Sequence, residues 1–120
     1  KKITNKGFEK LKSIVTTYIK RCKQETITNK AFENLQGIHT LNMSTCYQNT
    51  ITDNAFKYLH SVHSLNMKNC CQNTITDNAF TYLTSISIID ISYCNQSTIT
   101  NKTLEYLKNN NVKITRILKL

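Results

Sequence analysis

Three observations in the sequence predict an α/β solenoid. Ile3, Ile27, Ile51, Ile75 and Ile99 fall at a strict 24-residue spacing, and Cys22, Cys46, Cys70 and Cys94 keep the same step, as do Gln24, Gln48, Gln72 and Gln96. A fixed period of this size marks an array in which each repeat stacks on its neighbours. Within each repeat, one half opens on a hydroxyl and carries apolar residues at helical spacing. The other half alternates apolar and polar residues. These features predict about five coils, starting near residues 3, 27, 51, 75 and 99, in a single domain spanning 1–120.

The helix half is best seen from Ile51 to Leu59. Thr52 can cap a helix N-terminus with its hydroxyl, and Asp53 then stands where the helix dipole favours negative charge. Ala55, Phe56 and Leu59 form one narrow apolar stripe, matched by Gly7/Phe8/Leu11, Ala31/Phe32/Leu35 and Ala79/Phe80/Leu83. The first member of each triplet is small, which suits a short helix running close to a sheet. The fifth repeat departs, with Thr103, Leu104 and Leu107, as a terminal unit should.

The strand half runs Ile38, Leu41, Met43, Cys46, and is matched by Val62/Leu65/Met67/Cys70 and Ile86/Ile89/Ile91/Cys94. Leu41 and Met43 alternate with Thr40, Asn42 and Ser44, the pattern of a strand with one buried face. Equal repeat length places these strands parallel and adjacent, with the short helix as the crossover. The first repeat substitutes Thr17 for Leu or Ile. The last inserts Asn109, Asn110 and Asn111 before its strand, whose register stays open. Lys113, Arg116 and Lys119 read as charges that discourage edge-to-edge pairing. Between strand and helix the turning backbone needs hydrogen-bond partners, and the recurrent Gln and Thr, such as Gln48 and Thr50, can form ladders that supply them.

The formal charge is +9, unevenly spread: eight of the sixteen Lys and Arg lie between Lys1 and Lys23, and five between Lys102 and Lys119. Such ends can attract nucleic acid or acidic surfaces, but polar solenoid caps are the simpler explanation. No secretory segment or long apolar span is evident, so no membrane role is expected. Four of the five cysteines follow the repeat period, which reads as buried thiols in a reducing, cytoplasmic setting rather than a disulfide framework. Asn42, Asn95 and Asn101 head glycosylation-type triplets that arise by chance in a chain this rich in Asn and Thr.

Taken together, Ile38-x-x-Leu41-x-Met43-x-x-Cys46 followed by Ile51-Thr52-Asp53-x-Ala55-Phe56-x-x-Leu59 resembles the leucine-rich repeat family, in its cysteine-containing subtype. The resemblance covers the whole chain. Two departures are Phe in place of the usual helix Leu and a strand-to-helix turn about two residues longer than the commonest form. The resemblance implies a right-handed solenoid with parallel strands on the concave face and short helices on the convex face. The subtype is best known from substrate-recognition subunits of F-box ubiquitin ligases, and the wording from Ile38 to Met43 is also similar to tandem-repeat proteins of giant DNA viruses. The Ala-Phe pair resembles a repeat class of microbial surface proteins, but in those the cysteine directly follows the helix, where this sequence has Leu.

Catalysis is not expected, because candidate acids and thiols repeat in register instead of converging from different parts of the fold. Asp53 and Asp77 read as helix-start residues. A zinc site built from His39, His60, His63, Cys70 and Cys71 would need four convergent ligands, yet Cys46 and Cys70 should point inward and His39 and His63 outward. No cofactor is expected. The resemblance implies that function lies on the outward strand residues: Thr16, Tyr18 and Lys20; Thr40, Asn42 and Ser44; Ser64, Asn66 and Lys68; Ile88, Asp90 and Ser92. Of these, Tyr18, Lys20, Asn42, Asn66, Lys68, Ile88 and Asp90 are the candidate partner-binding residues. Tyr18, Lys68, Ile88 and Asp90 break the Thr/Ser/Asn monotony most clearly. The expected activity is protein binding, with nucleic acid the less favoured ligand and self-association through exposed solenoid edges an alternative.

Overall fold

The computed structural model describes residues 16–18 and 27–118 of the chain. A five-stranded sheet runs in chain order, β1 (Thr16–Tyr18), β2 (Thr40–Asn42), β3 (Ser64–Asn66), β4 (Ile88–Asp90) and β5 (Lys113–Thr115). Every pair is parallel. Thr17, Leu41, Leu65, Ile89 and Ile114 stand in one row, the sequence period made visible in space. The first four strands step by 24 residues, while Ile88 pairs with Lys113, a step of 25. The Asn-rich insertion is therefore absorbed mainly before the strand, with Asn111 at φ 58° turning the chain back.

The crossovers are very short. Helix α1 (Asn29–Phe32) continues as a 3₁₀ turn over Glu33–Leu35, and α2 covers Asp77–Phe80. Among the described residues, only α3 (Asn101–Asn109), in the last repeat, is a helix of ordinary length. The stretch read from sequence as a helix after Thr52 is instead a 3₁₀ helix over Asp53–Tyr58. Its bonds close over three residues, Ala55 N–H to Thr52 C=O at 3.0 Å and Leu59 N–H to Phe56 C=O at 2.9 Å. The tighter helix rises further per residue, which suits a crossover that must span a coil with few residues. No helix among the described residues is long and apolar enough to cross a membrane.

Thr28, Thr52, Thr76 and Thr100 are the N-caps, each in extended conformation and each accepting from the N–H two residues on. The core lies between sheet and crossovers. Phe32, Phe56 and Phe80 are fully buried, and the Phe56 and Phe80 rings meet at 6.0 Å and 54°. Ala31, Ala55 and Ala79 are equally buried, so a larger side chain there would push the crossover off the strands.

Three side-chain ladders tie consecutive repeats. Thr50, Thr74 and Thr98 donate their hydroxyls to the carbonyls of Ile27, Ile51 and Ile75 at 2.6, 2.7 and 2.8 Å. The thiols of Cys70 and Cys94 donate to the carbonyls of Met43 and Met67 at 2.9 and 3.1 Å. Gln72 Nε2 donates to Gln48 C=O at 3.5 Å, and Gln96 Nε2 to Cys70 C=O and Gln72 C=O at 2.9 and 3.2 Å. The expected Gln and Thr ladders are therefore present.

The aspartates do something the sequence reading missed. Asp53 and Asp77 stand in the first turns of their own segments, but their carboxylates serve the following repeat. Asp53 accepts from Thr76 N–H at 2.7 Å and from its hydroxyl at 2.5 Å. Asp77 accepts from Thr100 N–H and hydroxyl at 2.7 and 2.6 Å, and from the Thr103 hydroxyl at 2.5 Å. Asn29 holds Thr52 with its neutral amide, accepting from the Thr52 N–H at 2.9 Å and donating to its hydroxyl at 2.7 Å.

Partial burial would raise the Asp77 carboxyl, but the hydroxyls of Thr100 and Thr103 and the Thr100 N–H outweigh it and hold it below the usual 3.8. A carboxyl lowered on folding contributes stability that is full above the unfolded value and lost as pH falls through the folded one. Asp77→Asn should therefore be less stable than the native chain at pH 6 by about 1 kcal/mol, with the gap closing as pH falls below the usual carboxyl value of 3.8. Thermal melts at both pH values check this. Phe56→Ala should cost about 3–5 kcal/mol in a denaturant titration.

Candidate functional site

The parallel register assembles the outward face of the sheet as two rows. Thr16, Thr40, Ser64, Ile88 and Lys113 form one, and Tyr18, Asn42, Asn66, Asp90 and Thr115 the other. Six of the seven sequence candidates are thus placed: Tyr18, Asn42, Asn66, Ile88 and Asp90 on strands, and Lys68 two residues beyond β3. For Tyr18 the backbone alone is placed, opposite Asn42. Lys20 lies outside the described residues.

Asn42, Asn66 and Asp90 carry a local duty that sequence did not disclose. Each directs Oδ1 to the N–H two residues on: Ser44 at 3.0 Å, Lys68 at 3.0 Å and Ser92 at 2.9 Å. Such side-chain turns hold the chain as it leaves the strand. The tight exit overturns part of the outward assignment, because Ser44 and Ser92 are buried, at 5% and 1% exposure, instead of facing solvent. Ser92 Oγ accepts from Ile117 N–H at 3.0 Å, so its hydroxyl is spent on the next repeat. Lys68, at the equivalent position of the middle repeat, has a side chain too long to be covered and remains exposed.

The residue that follows in each turn has positive φ: Thr45 at 61°, Asn69 at 63° and Tyr93 at 61°. A left-handed residue with a Cβ costs about 1–2 kcal/mol, least for Asn. The conformation is retained because the turns are bonded on both sides. Thr45, Asn69 and Tyr93 each donate to the next repeat, to Lys68, Ser92 and Ile117 C=O, all at 2.8 Å.

These turns raise a rim of larger side chains beside the sheet. Tyr47 is 36% exposed, and its hydroxyl accepts from Asn69 Nδ2 at 3.0 Å. The Lys68 ammonium stands 5.6 Å from the centre of the Tyr93 ring, a cation–π arrangement. The Cys71 thiol donates to Tyr93 C=O at 3.1 Å. The two rows contribute Ile88, 40% exposed, with Lys113 as its register partner. Sequence reasoning passed over Tyr47 and Tyr93. The available signal was that the positions on either side of the periodic cysteine vary freely: Thr45, Asn69 and Tyr93 before it, and Tyr47, Cys71 and Asn95 after it.

The histidines do not form a metal cluster. His39 and His63 stack with ring centres 5.2 Å apart and planes within 8°. Face to face, their in-plane lone pairs run side by side and do not converge on one point. Among the described residues, no group of three or more His, Cys, Asp or Glu could hold a metal ion. Burial pushes the Cys70 thiol up to about 12 and the Cys94 thiol up to about 11, which keeps both protonated and able to donate.

No family model matches the chain, and no curated protein does. Thirteen chains of solved structures do match. One is the crystal structure of a TLR13–ssRNA13 complex, at TM-score 0.67 and 16% identity, covering 98% of this chain. TLR13 is a leucine-rich-repeat protein, so the fold is leucine-rich-repeat-like. The chain spans about a fifth, 20%, of that neighbour's length.

Among the described cysteines, Cys46, Cys70 and Cys94 are buried and Cys71 is partly exposed. Under native conditions iodoacetamide should modify Cys71 before Cys46, Cys70 and Cys94, which should react only on unfolding. Peptide mapping by mass spectrometry reads the order directly.

Proposed function

We propose that the chain is a right-handed solenoid of five coils, of the cysteine-containing leucine-rich-repeat kind, with the sheet on its concave side. In this reading it is a non-catalytic protein-interaction module that receives a protein partner across the outward rows of the strands. The observation that carries the reading is Ile88: an aliphatic side chain 40% exposed on a sheet face whose neighbouring positions are Ser64, Asn66, Asp90 and Lys113. A solvated strand face has no use for it, whereas an interface uses an apolar anchor with a polar surround. Lys113 beside it, and Lys68, Asn66 and Asp90 around it, supply that surround. Tyr18 and Lys20 would extend the surface toward the first repeat.

The thiols of Cys70, Cys71 and Cys94, each donating a hydrogen bond, support a reducing, cytoplasmic setting. A substrate-recognition role in a ubiquitin ligase, or membership of a viral repeat array, rests on the sequence resemblance alone. The RNA in the TLR13 complex is that protein's ligand. On this chain the described sheet rows offer Lys113, with Lys68 at their edge, too few cations for a backbone-tracking groove.

Lysate capture followed by mass spectrometry tests the reading, with Ile88→Arg as the comparison. A protein retained by the native chain at physiological salt should fall at least about tenfold with the variant, the effect of losing one anchor. Equal capture by both chains, or capture that disappears with nuclease, would overturn it.

A further inference from the structure

Building on the protein-binding reading above, we propose that the partner presents an acidic, extended segment, with one carboxylate seated on Lys68 at the Tyr47–Tyr93 rim. Within the rim, Lys68 is the one charged side chain, and its contact is the Tyr93 ring rather than an acid. An ammonium over a ring keeps most of its field, so it can accept an anion while the ring restrains it. The nearest acid along the register, Asp90, directs Oδ1 to the Ser92 N–H. Lys113, flanking the exposed Ile88, adds a second positive charge on the same face. The surface therefore combines two lysines, two tyrosines and one aliphatic anchor. An acidic segment with an apolar or aromatic residue complements it.

Other occupants fit less well. A second copy of this chain carries +9 and would be repelled. A nucleic-acid strand would need more cations along its track and open ring faces, yet the Lys68 ammonium already occupies one face of Tyr93.

The chain supplies its own control. Lys57 stands 5.2 Å from the centre of the Tyr58 ring, the same kind of pair built on a crossover segment. Lys57→Gln and Lys68→Gln thus remove equal charge and equal local chemistry from different places. Tyr93→Asn removes the ring while keeping a residue suited to positive φ, as Asn69 shows in the preceding repeat at 63°.

The probe is a random copolymer of Glu and Tyr, fluorescently labelled and titrated at physiological salt. Lys68→Gln and Tyr93→Asn should each weaken binding by roughly fivefold, and Lys57→Gln should leave it within about twofold. Equal weakening by Lys57→Gln and Lys68→Gln would mean net charge alone binds the copolymer, and would sink the proposal. So would equal affinity for a Lys–Tyr copolymer, or tighter binding of oligo-dT than of the acidic probe. If Ile88→Arg abolishes lysate capture while Lys68→Gln leaves it intact, the sheet face binds protein but its partner is not held through Lys68. The two readings therefore fail separately.

Discussion

The structure depends on one constraint: a backbone that turns sharply twice in every 24 residues must hand its carbonyls to another repeat. Crossovers of a few residues cannot satisfy their own polar groups, and the core is too dry to leave them bare. The carbonyls of Ile27, Ile51 and Ile75 are met by Thr hydroxyls, and those of Met43 and Met67 by Cys thiols. This explains why the ladder Thr, Cys and Gln keep the 24-residue register alongside the core Ile and Leu. A Phe can be replaced by another large apolar group with repacking, but a donor must sit at one place. Cysteine suits the site because it is compact, buries well and, held at high pKa, keeps its proton.

The outward face follows from the same constraint. Once the sheet is locked in register by inward donors, the residues between them are free to vary, and the face becomes a display of whatever those positions carry. The exits from the strands are more constrained. Asn42, Asn66 and Asp90 each bond the chain two residues on, and the residue directly after that adopts positive φ. Chemistry that seems free for recognition is thereby half committed to the turn. Side chains such as Ile88, Lys68 and Tyr93, which take no part in the ladders, are left as the distinctive features of the surface.

Much of this was readable in the amino acids. The period set the parallel register of β2, β3 and β4, the inward row of Leu41, Leu65 and Ile89, the Thr caps and the buried Phe and Ala positions. What escaped was governed by contacts between repeats, which a single repeat cannot show. Asp53 sits where its own helix dipole would hold it, so nothing in its local sequence says that its carboxylate bonds Thr76 instead. The 3₁₀ geometry of Asp53–Tyr58 differs from α2 although the two stretches share Asp-Asn-Ala-Phe; the α-helical and 3₁₀ forms of so short a segment lie close in energy, and neighbouring packing decides. Ser44 and Ser92 were assigned outward by alternation, but alternation ends where the strand ends, and the turn folds them under. The Tyr47–Tyr93 rim comes from different offsets in different repeats, so no periodic reading could unite its members.

The three ladders also share a direction. In each, the later repeat supplies the hydrogen and the earlier repeat the oxygen, from Thr50 to Thr98, from Cys70 to Cys94 and from Gln72 to Gln96. A ribosome releases the earlier repeat first. Its oxygens are ordinary backbone atoms that water can serve while they wait, whereas the hydroxyl, thiol and amide that claim them arrive with the next length of chain. The array is therefore wired to close in the order in which it is made, each new turn finding its template already set.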